Sequence, residues 1–245
     1  MVRLSVNVNK VATLRNSRGG HVPSLVEAVQ VVLAAGARGV TVHPRADQRH
    51  ITPGDVRDLA ALLAPRRDTV EFNIEGDPRP DLLALVHEVR PHQCTLVPVK
   101  AGEITSEAGW PPGTPRAALA GVIADLQRAG VRVSLFVDPD VAAIAWAADL
   151  GADRVEIYTE PFARAFERGA GAAGFAACAA AAERAHALGL GVNAGHDLDL
   201  TNLPLFRRLP HLAEVSIGHA LISHALFVGL ATAVRDYLEA VEVGG

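Results

Sequence analysis

The sequence predicts a (β/α)8 barrel, a TIM barrel with a few extra helices, as a single domain over residues 1–245. Three observations predict it. Eight short segments rich in valine and isoleucine recur along the chain, each followed by an apolar-periodic stretch of helical length. Glycine or proline punctuates most of those stretches. The 245 residues, 49% of them hydrophobic, can build one large core, and no linker-like segment splits them. An open doubly wound sheet is the alternative, but it usually holds fewer strands in one domain.

The expected strands are, in order, LSVNVN (4–9), GVTVHPR (39–45), TVEFNIE (69–75), QCTLVPV (93–99), RVSLFVD (132–138), RVEIYTE (154–160), GVNAGH (191–196) and AEVSIGH (213–219). The first is expected to lead into an arginine- and glycine-containing loop at residues 15–20. Ser24-Leu25-Val26-Glu27 reads as a capping box that opens the helix before strand 2. Thr52-Pro53 and Thr114-Pro115 each place a cap before a proline at the first helical position. Gly36, Gly130, Gly151 and Gly189 mark helix ends, where a left-handed residue closes the last turn. The helix after strand 7 is short, and strand 4 is followed by a long connection, residues 99–115. Such a connection is either a lid or an excursion at a subunit interface.

The formal net charge is -4 with no long run of one sign, so a nucleic-acid partner is not expected. Two cysteines, Cys94 and Cys178, lie in apolar contexts and suggest a reducing interior. No apolar run reaches the ~18 residues of a membrane span, and no signal-like region opens the chain. A cytoplasmic protein is expected.

Sites on this fold lie at the C-terminal ends of the strands, and polar residues gather there. Strand 1 ends in Asn7, Asn9 and Lys10. Strand 2 ends in His43 and Arg45, with His50 shortly after. Strand 3 carries Glu71, Asn73 and Glu75 on one face, and strand 6 carries Glu156. A carboxylate inside a barrel strand is costly without partners, so Glu71 and Glu156 are read as site residues. Strand 7 ends in Gly195-His196 and strand 8 in Gly218-His219, the latter running straight into a helix. Glycines at those two places suit a phosphate held by backbone amides at a helix N-terminus. Arg18, Arg45 and His50 suggest a second anion site. No metal-ligand spacing appears.

Five motifs, NxxxxATLRNxRG, VTVHxRxDxRHIT, LVPxKxxEITxExG, VNAGHxL and IGHALI, together resemble the pyridoxine 5'-phosphate synthase family, in order from Asn7 to about Gly229. The resemblance implies a (β/α)8 barrel with extra helices, a homo-octamer, and no metal or organic cofactor. It implies condensation of 1-deoxy-D-xylulose 5-phosphate with 3-amino-2-oxopropyl phosphate to pyridoxine 5'-phosphate, phosphate and water. The partners are thus two phosphorylated small molecules, with neither nucleic acid nor membrane. By the same resemblance His43 and Glu71 are proton acceptors and His196 the proton donor. Asn7 contacts the amino ketone phosphate, while Arg18, Arg45, His50 and Thr105 contact the pentulose phosphate. Asp197, Gly218 and His219 fall in the product-phosphate region, and Glu156 faces the ring-forming centre. Asn9-Lys10 stands where the family often has Asp-His, which leaves both residues a binding role. Asp197 stands where glycine is usual.

Two other classes fit the barrel. A Schiff-base aldolase or phosphosugar isomerase would use Lys10 or Lys100. A non-catalytic barrel would retain binding without the acid–base residues.

Overall fold

The computed structural model describes residues 2–100, 102 and 105–242. Eight parallel strands pair in sequence order and the eighth closes on the first. The order is β1 (Arg3–Asn7), α1 (Asn9–Asn16), α2 (Leu25–Ala34), β2 (Gly39–Val42), α3 (Pro53–Leu63), β3 (Glu71–Gly76), α4 (Pro80–Val89), β4 (Gln93–Leu96), α5 (Ala120–Arg128), β5 (Arg132–Val137), α6 (Val141–Asp149), β6 (Arg154–Tyr158), α7 (Glu160–Glu167), α8 (Gly171–Ala187), β7 (Gly191–Gly195), α9 (Leu203–Phe206), β8 (Leu212–Ile217), α10 (His219–Val228) and α11 (Leu230–Glu242). Each expected strand is present within three residues of its expected ends. The shortfall falls mainly at C-terminal ends, where the chain leaves the ladder to build the barrel mouth.

Alternation along the strands sorts side chains to two environments. Leu4, Val6, Val40, Ile74, Leu135 and Val215 point outward and are at most 1% exposed. They pack with helix residues such as Val29, Leu59, Ile144 and Val234 into one apolar shell. The intervening residues fill the lumen and are mostly polar, with Phe136 an apolar exception near the mouth. The Ser5 and Thr41 hydroxyls share a hydrogen bond of 2.7 Å, Thr95 donates to Asn73 Oδ1 at 3.1 Å, and Gln93 donates to the same oxygen at 3.3 Å. Parallel strands buried on both faces usually read as continuous apolar runs. Here a hydrogen-bonded lumen replaces the usual branched apolar layers, which is why the strands alternate.

The lumen's floor, at the N-terminal ends of the strands, is ionic. Glu71 accepts from Arg3 at 2.9 Å and from Arg132, and Arg3 lies 3.7 Å from Glu214. Arg132 also reaches Gln93 at 3.0 Å, and Arg154 donates to Asn193 at 2.8 Å. Glu71, expected at the site, is held here in the floor's ion pairs. Glu71 shares a face with Glu75 but lies four residues, roughly 13 Å of strand rise, below it. Its carboxylate is taken up by Arg3 and Arg132.

The helix punctuation is largely as expected. Ser24 accepts from the Glu27 amide at 3.2 Å, and Thr52 and Asp55 form a reciprocal capping box. Gly36, Gly130, Gly151 and Gly189 all have positive φ, as helix closure requires. Two local expectations are corrected. Residues 15 and 16, expected in the loop, close helix α1, and Arg15 pairs with a neighbouring acid, Asp55 of α3. Thr114 caps nothing: Pro115 precedes a short 3-10 turn at Arg116–Ala118, and the Thr114 carbonyl accepts from Trp146 Nε1 at 3.1 Å.

Replacing Glu71 by Gln removes the acceptor charge between Arg3 and Arg132. It is expected to lower the unfolding free energy by about 1–3 kcal/mol, measured by urea denaturation.

Candidate active site

The C-terminal strand ends surround a cleft of about 570 Å³, a volume typical of small-molecule sites. Asn7, Asn9, Lys10, His43, Arg45, His50, Thr105, Glu156, His196, Asp197, Gly218 and His219 all line it, so twelve of the fourteen residues expected at the site converge there. Arg18 and Glu71 do not. Arg18 is exposed beyond the C-terminus of α1. Glu103 and Ile104, within the long-connection motif, lie outside the described residues.

Local hydrogen bonds set the mouth above β1 and β2. Asn7 Oδ1 accepts from the Asn9 amide at 3.0 Å, and Asn9 Oδ1 accepts from the His43 amide at 2.9 Å. Asn9 thus joins the ends of β1 and β2. His50 Nδ1 accepts from the Ile51 amide at 2.9 Å, so its proton sits on Nε2 as a donor. Burial, and then the charges of Arg45 and Lys10, push His50 down to about 4. Burial, followed by His50, Arg45 and Arg79, pushes His43 down to about 3. Both rings are neutral at pH 7, and His43 Nε2 has no hydrogen-bond partner within the protein.

The residue missed by sequence reasoning as a site group is Glu75. Its carboxylate lies 3.8 Å from His43 Nδ1 and lines the cleft. Burial, and then the charges of Glu156 and Glu214, raise its pKa well above the usual carboxylate range. Glu156 is raised by the same causes, burial before Glu214, with a hydrogen bond from Thr95 in partial opposition. Gly195 leaves room for this carboxylate, since a Cβ there would collide with Glu156 Oε1. Gly195 itself does not line the cleft. The available signal for Glu75 was position: it is the last residue of the 71-73-75 face before the strand's terminal glycine.

Gly218 begins α10 with no side-chain cap, and Ser216 through Ala220 line the cleft. Uncapped first-turn amides and the helix dipole suit an anion. A Cβ at Gly218 would meet Asn7 Cβ at 3.0 Å and its carbonyl oxygen at 3.1 Å, so β1 approaches closely only because this residue is glycine. Arg49 and Arg164 also line the cleft, with no periodic pattern to flag them.

The connection after β4 lines this mouth with Val97, Thr105 and Ser106. Its far end is pinned to β5 and β4: Gly109 N–H donates to Asp138 at 3.1 Å, Trp110 N–H to the Phe136 carbonyl and Trp110 Nε1 to the Leu96 carbonyl, both at 2.9 Å. Nearer its start, Thr105 Oγ1 lies 2.9 Å from His196 Nε2. Lys10 reaches the cleft from the first turn of α1, whereas Lys100 is exposed and does not line it. Neither lies inside the barrel as an aldolase lysine is expected to. Among the described residues no group of three or more His, Cys, Asp or Glu could hold a metal, and no helix is long and apolar enough to cross a membrane.

A family model described as pyridoxal phosphate biosynthesis protein PdxJ matches residues 4–243. A pyridoxine 5'-phosphate synthase of Christiangramia forsetii is 50% identical over 242 residues, 98% of this chain and 99% of that protein. One from Xanthomonas axonopodis pv. citri is 51% identical over 250 residues, 99% and 97% of the two chains. Among solved structures, a native KDPGal structure superposes with a TM-score of 0.61 at 13% identity, covering 97% of this chain and 93% of that one. Monomers of phosphoribosylanthranilate isomerase from Thermotoga maritima give 0.60 at 13%, covering 99% of both. Those two likenesses concern the barrel alone.

The His43 shift has a consequence for stability. The unfolded ring protonates below about 6.5 and the folded ring only near 3, so falling pH favours the unfolded chain. His43→Gln lacks this titration. The stability advantage of the wild type over His43→Gln is expected to shrink by about 2 kcal/mol from pH 7 to pH 5, measured by chemical denaturation at each pH.

Proposed function

The chain belongs to the family of pyridoxal phosphate biosynthesis proteins PdxJ, and from this premise we infer that the cleft is where its reaction occurs. The reaction is that of pyridoxine 5'-phosphate synthase. It condenses 1-deoxy-D-xylulose 5-phosphate with 3-amino-2-oxopropyl phosphate and closes the pyridine ring, releasing phosphate and water. The observation that carries the assignment to the cleft is its layout. Lys10, Arg45 and His50 lie above β1 and β2, the uncapped start of α10 above β8, and titratable groups sit between and below them. Two anion-binding regions flanking acids and bases suit two phosphorylated substrates that must exchange protons.

The amine must attack a ketone, and the imine must then lose protons, phosphate and water. Each step needs an acid or base within hydrogen-bond reach. The His43 ring is neutral, and its Nε2 has no protein partner. Glu75 lies 3.8 Å behind its other nitrogen, so a small closure joins them into one relay. The raised pKa of Glu75 makes it a strong base when ionised. In this reading Glu75, rather than Glu71, is the acceptor paired with His43, and His196 is the donor at the opposite side. Arg45, His50 and Thr105 hold the pentulose phosphate, Asn7 contacts the amino ketone, and the Gly218–His219 amides receive a phosphate. Asn9 and Lys10 bind, and Glu156 faces the forming ring.

A homo-octamer is part of the same proposal. Leu226 and Phe227, at the end of α10, are 72% and 88% exposed, and α10 packs against α1, whose Leu14 is 54% exposed. Apolar exposure of this kind suits contact with further copies. Cys94 and Cys178 are free and buried, which supports a reducing, cytoplasmic setting.

Purified protein is expected to form pyridoxine 5'-phosphate from the two substrates without added cofactor, followed by product chromatography. Glu75→Gln should lower kcat by roughly 10²–10⁴, while Glu71→Gln leaves turnover of the folded enzyme near wild type. Equal losses in both would overturn the assignment. Arg45→Ala should act mainly by raising KM for the pentulose phosphate. Phe227→Glu should reduce the assembly size in sedimentation if α10 carries a subunit contact.

A further inference from the structure

The turn that ends β7 holds an arrangement the steps above leave unused. His196 and Asp197 are consecutive and both adopt positive φ, 90° and 54°. That reversal folds the Asp197 carboxylate back onto its neighbour's ring, with Oδ2 3.2 Å from Nδ1. The reversal is itself tied down. The Thr159 hydroxyl donates to the carbonyls of Gly195, at 2.7 Å, and His196. Asn202 Nδ2 donates to the Asp197 carbonyl at 3.0 Å, and Asn202 is only 3% exposed. The Tyr158 ring meets the imidazole edge-on, with centroids 5.2 Å apart. Backbone strain of this kind persists where the surroundings over-determine it, often at functional sites.

The proton positions follow from the partners. An ionised carboxylate only accepts, and the bond to His196 holds Asp197 below its usual pKa. Nδ1 must therefore carry the hydrogen. In the neutral ring Nε2 then has its lone pair free, and the Thr105 hydroxyl 2.9 Å away donates to it. Arg164 and His219 also act on the Asp197 carboxylate, but Arg164 is engaged by Glu160 at 2.9 Å and Glu167 at 3.3 Å. His196 is thus the partner whose chemistry Asp197 controls.

We propose that Asp197 is a positioning residue for acid–base catalysis: it forms a dyad with His196 that fixes the Nδ1–H tautomer, aims Nε2 into the cleft and stabilises the imidazolium from which the proton is given. The proposal rests on the assignment of His196 as proton donor. Within the product-phosphate region it gives this side chain a role other than phosphate contact, because a carboxylate has no hydrogen to offer a phosphate.

Two variants separate charge from tautomer, and both tolerate the left-handed backbone at this position. Asp197→Asn keeps an acceptor for Nδ1–H and removes the charge. Asp197→Gly removes both. Nitrogen-15 NMR of the histidine rings, with His196 assigned by its loss in His196→Gln, is expected to show the Nδ1–H tautomer in wild type and Asp197→Asn. Asp197→Gly should revert to the Nε2–H tautomer. Steady-state turnover should fall about tenfold in Asp197→Asn, as loss of one ion-pair partner implies. It should fall further, toward about 100-fold, in Asp197→Gly, with KM for both substrates within about twofold. An Nε2–H tautomer in wild type overturns the dyad. So does a change confined to KM, which would make Asp197 a determinant of phosphate binding. The dyad stands on the tautomers even if wild type makes no pyridoxine 5'-phosphate, in which case the functional reading fails alone.

Discussion

The constraint on which the structure depends is the two-residue alternation of its strands, which seals a polar lumen inside an apolar shell. A parallel sheet closed into a barrel has no solvent face. Inward polar groups are therefore favoured when they find partners inside the barrel or at its open ends, and among the described residues only a few buried atoms, Ser134 Oγ and Asn193 Nδ2 among them, lack one. Ser5, Thr41, Asn73, Gln93 and Thr95 meet that demand with one another, and Arg3, Arg132 and Arg154 answer Glu71, Glu214 and Asn193 at the floor. The helices then need only supply apolar side chains to the outer face of the strands. The Gly195–Glu156 contact shows how tightly this interior is filled, since one methyl group has no place there.

That interior also prepares the mouth. Glu75 and Glu156 stand at the top of a column of buried carboxylates in which each disfavours ionisation of the next, and burial adds to the effect. His43 and His50 respond in the opposite sense, because burial and neighbouring cations disfavour the imidazolium. Carboxyls whose ionisation is disfavoured and imidazoles whose protonation is disfavoured therefore face one another across a few ångströms. The carboxyl and imidazole pKa values are thus moved from their values in water in opposite directions, toward the neutral form of each group.

Much of this was legible from the chain. Eight strands in order, the closing glycines, the short α9 and the gathering of His43, Arg45, His196 and Gly218 all follow from periodicity and punctuation. The errors have a common physical origin. Glu71 and Glu75 are equivalent in side-chain direction, and only the closed barrel's height separates a floor ion pair from a mouth carboxyl. Arg15 and Arg18 look alike in a glycine-bearing stretch, yet the helix of α1 sends one to Asp55 and leaves the other exposed. Arg49 and Arg164 were not distinguishable from surface arginines, because their place depends on where α7 and the β2–α3 connection fall.

Local chemistry alone determined the elements, their order and the end of the barrel at which polar residues collect, because side-chain alternation, capping and helix closure act within a few residues. The tertiary structure decided which carboxylates meet which cations, which rings resist protonation, and that Asp197 turns onto His196. Those outcomes depend on burial and on distances between segments up to a hundred or more residues apart, and neither exists until the barrel closes.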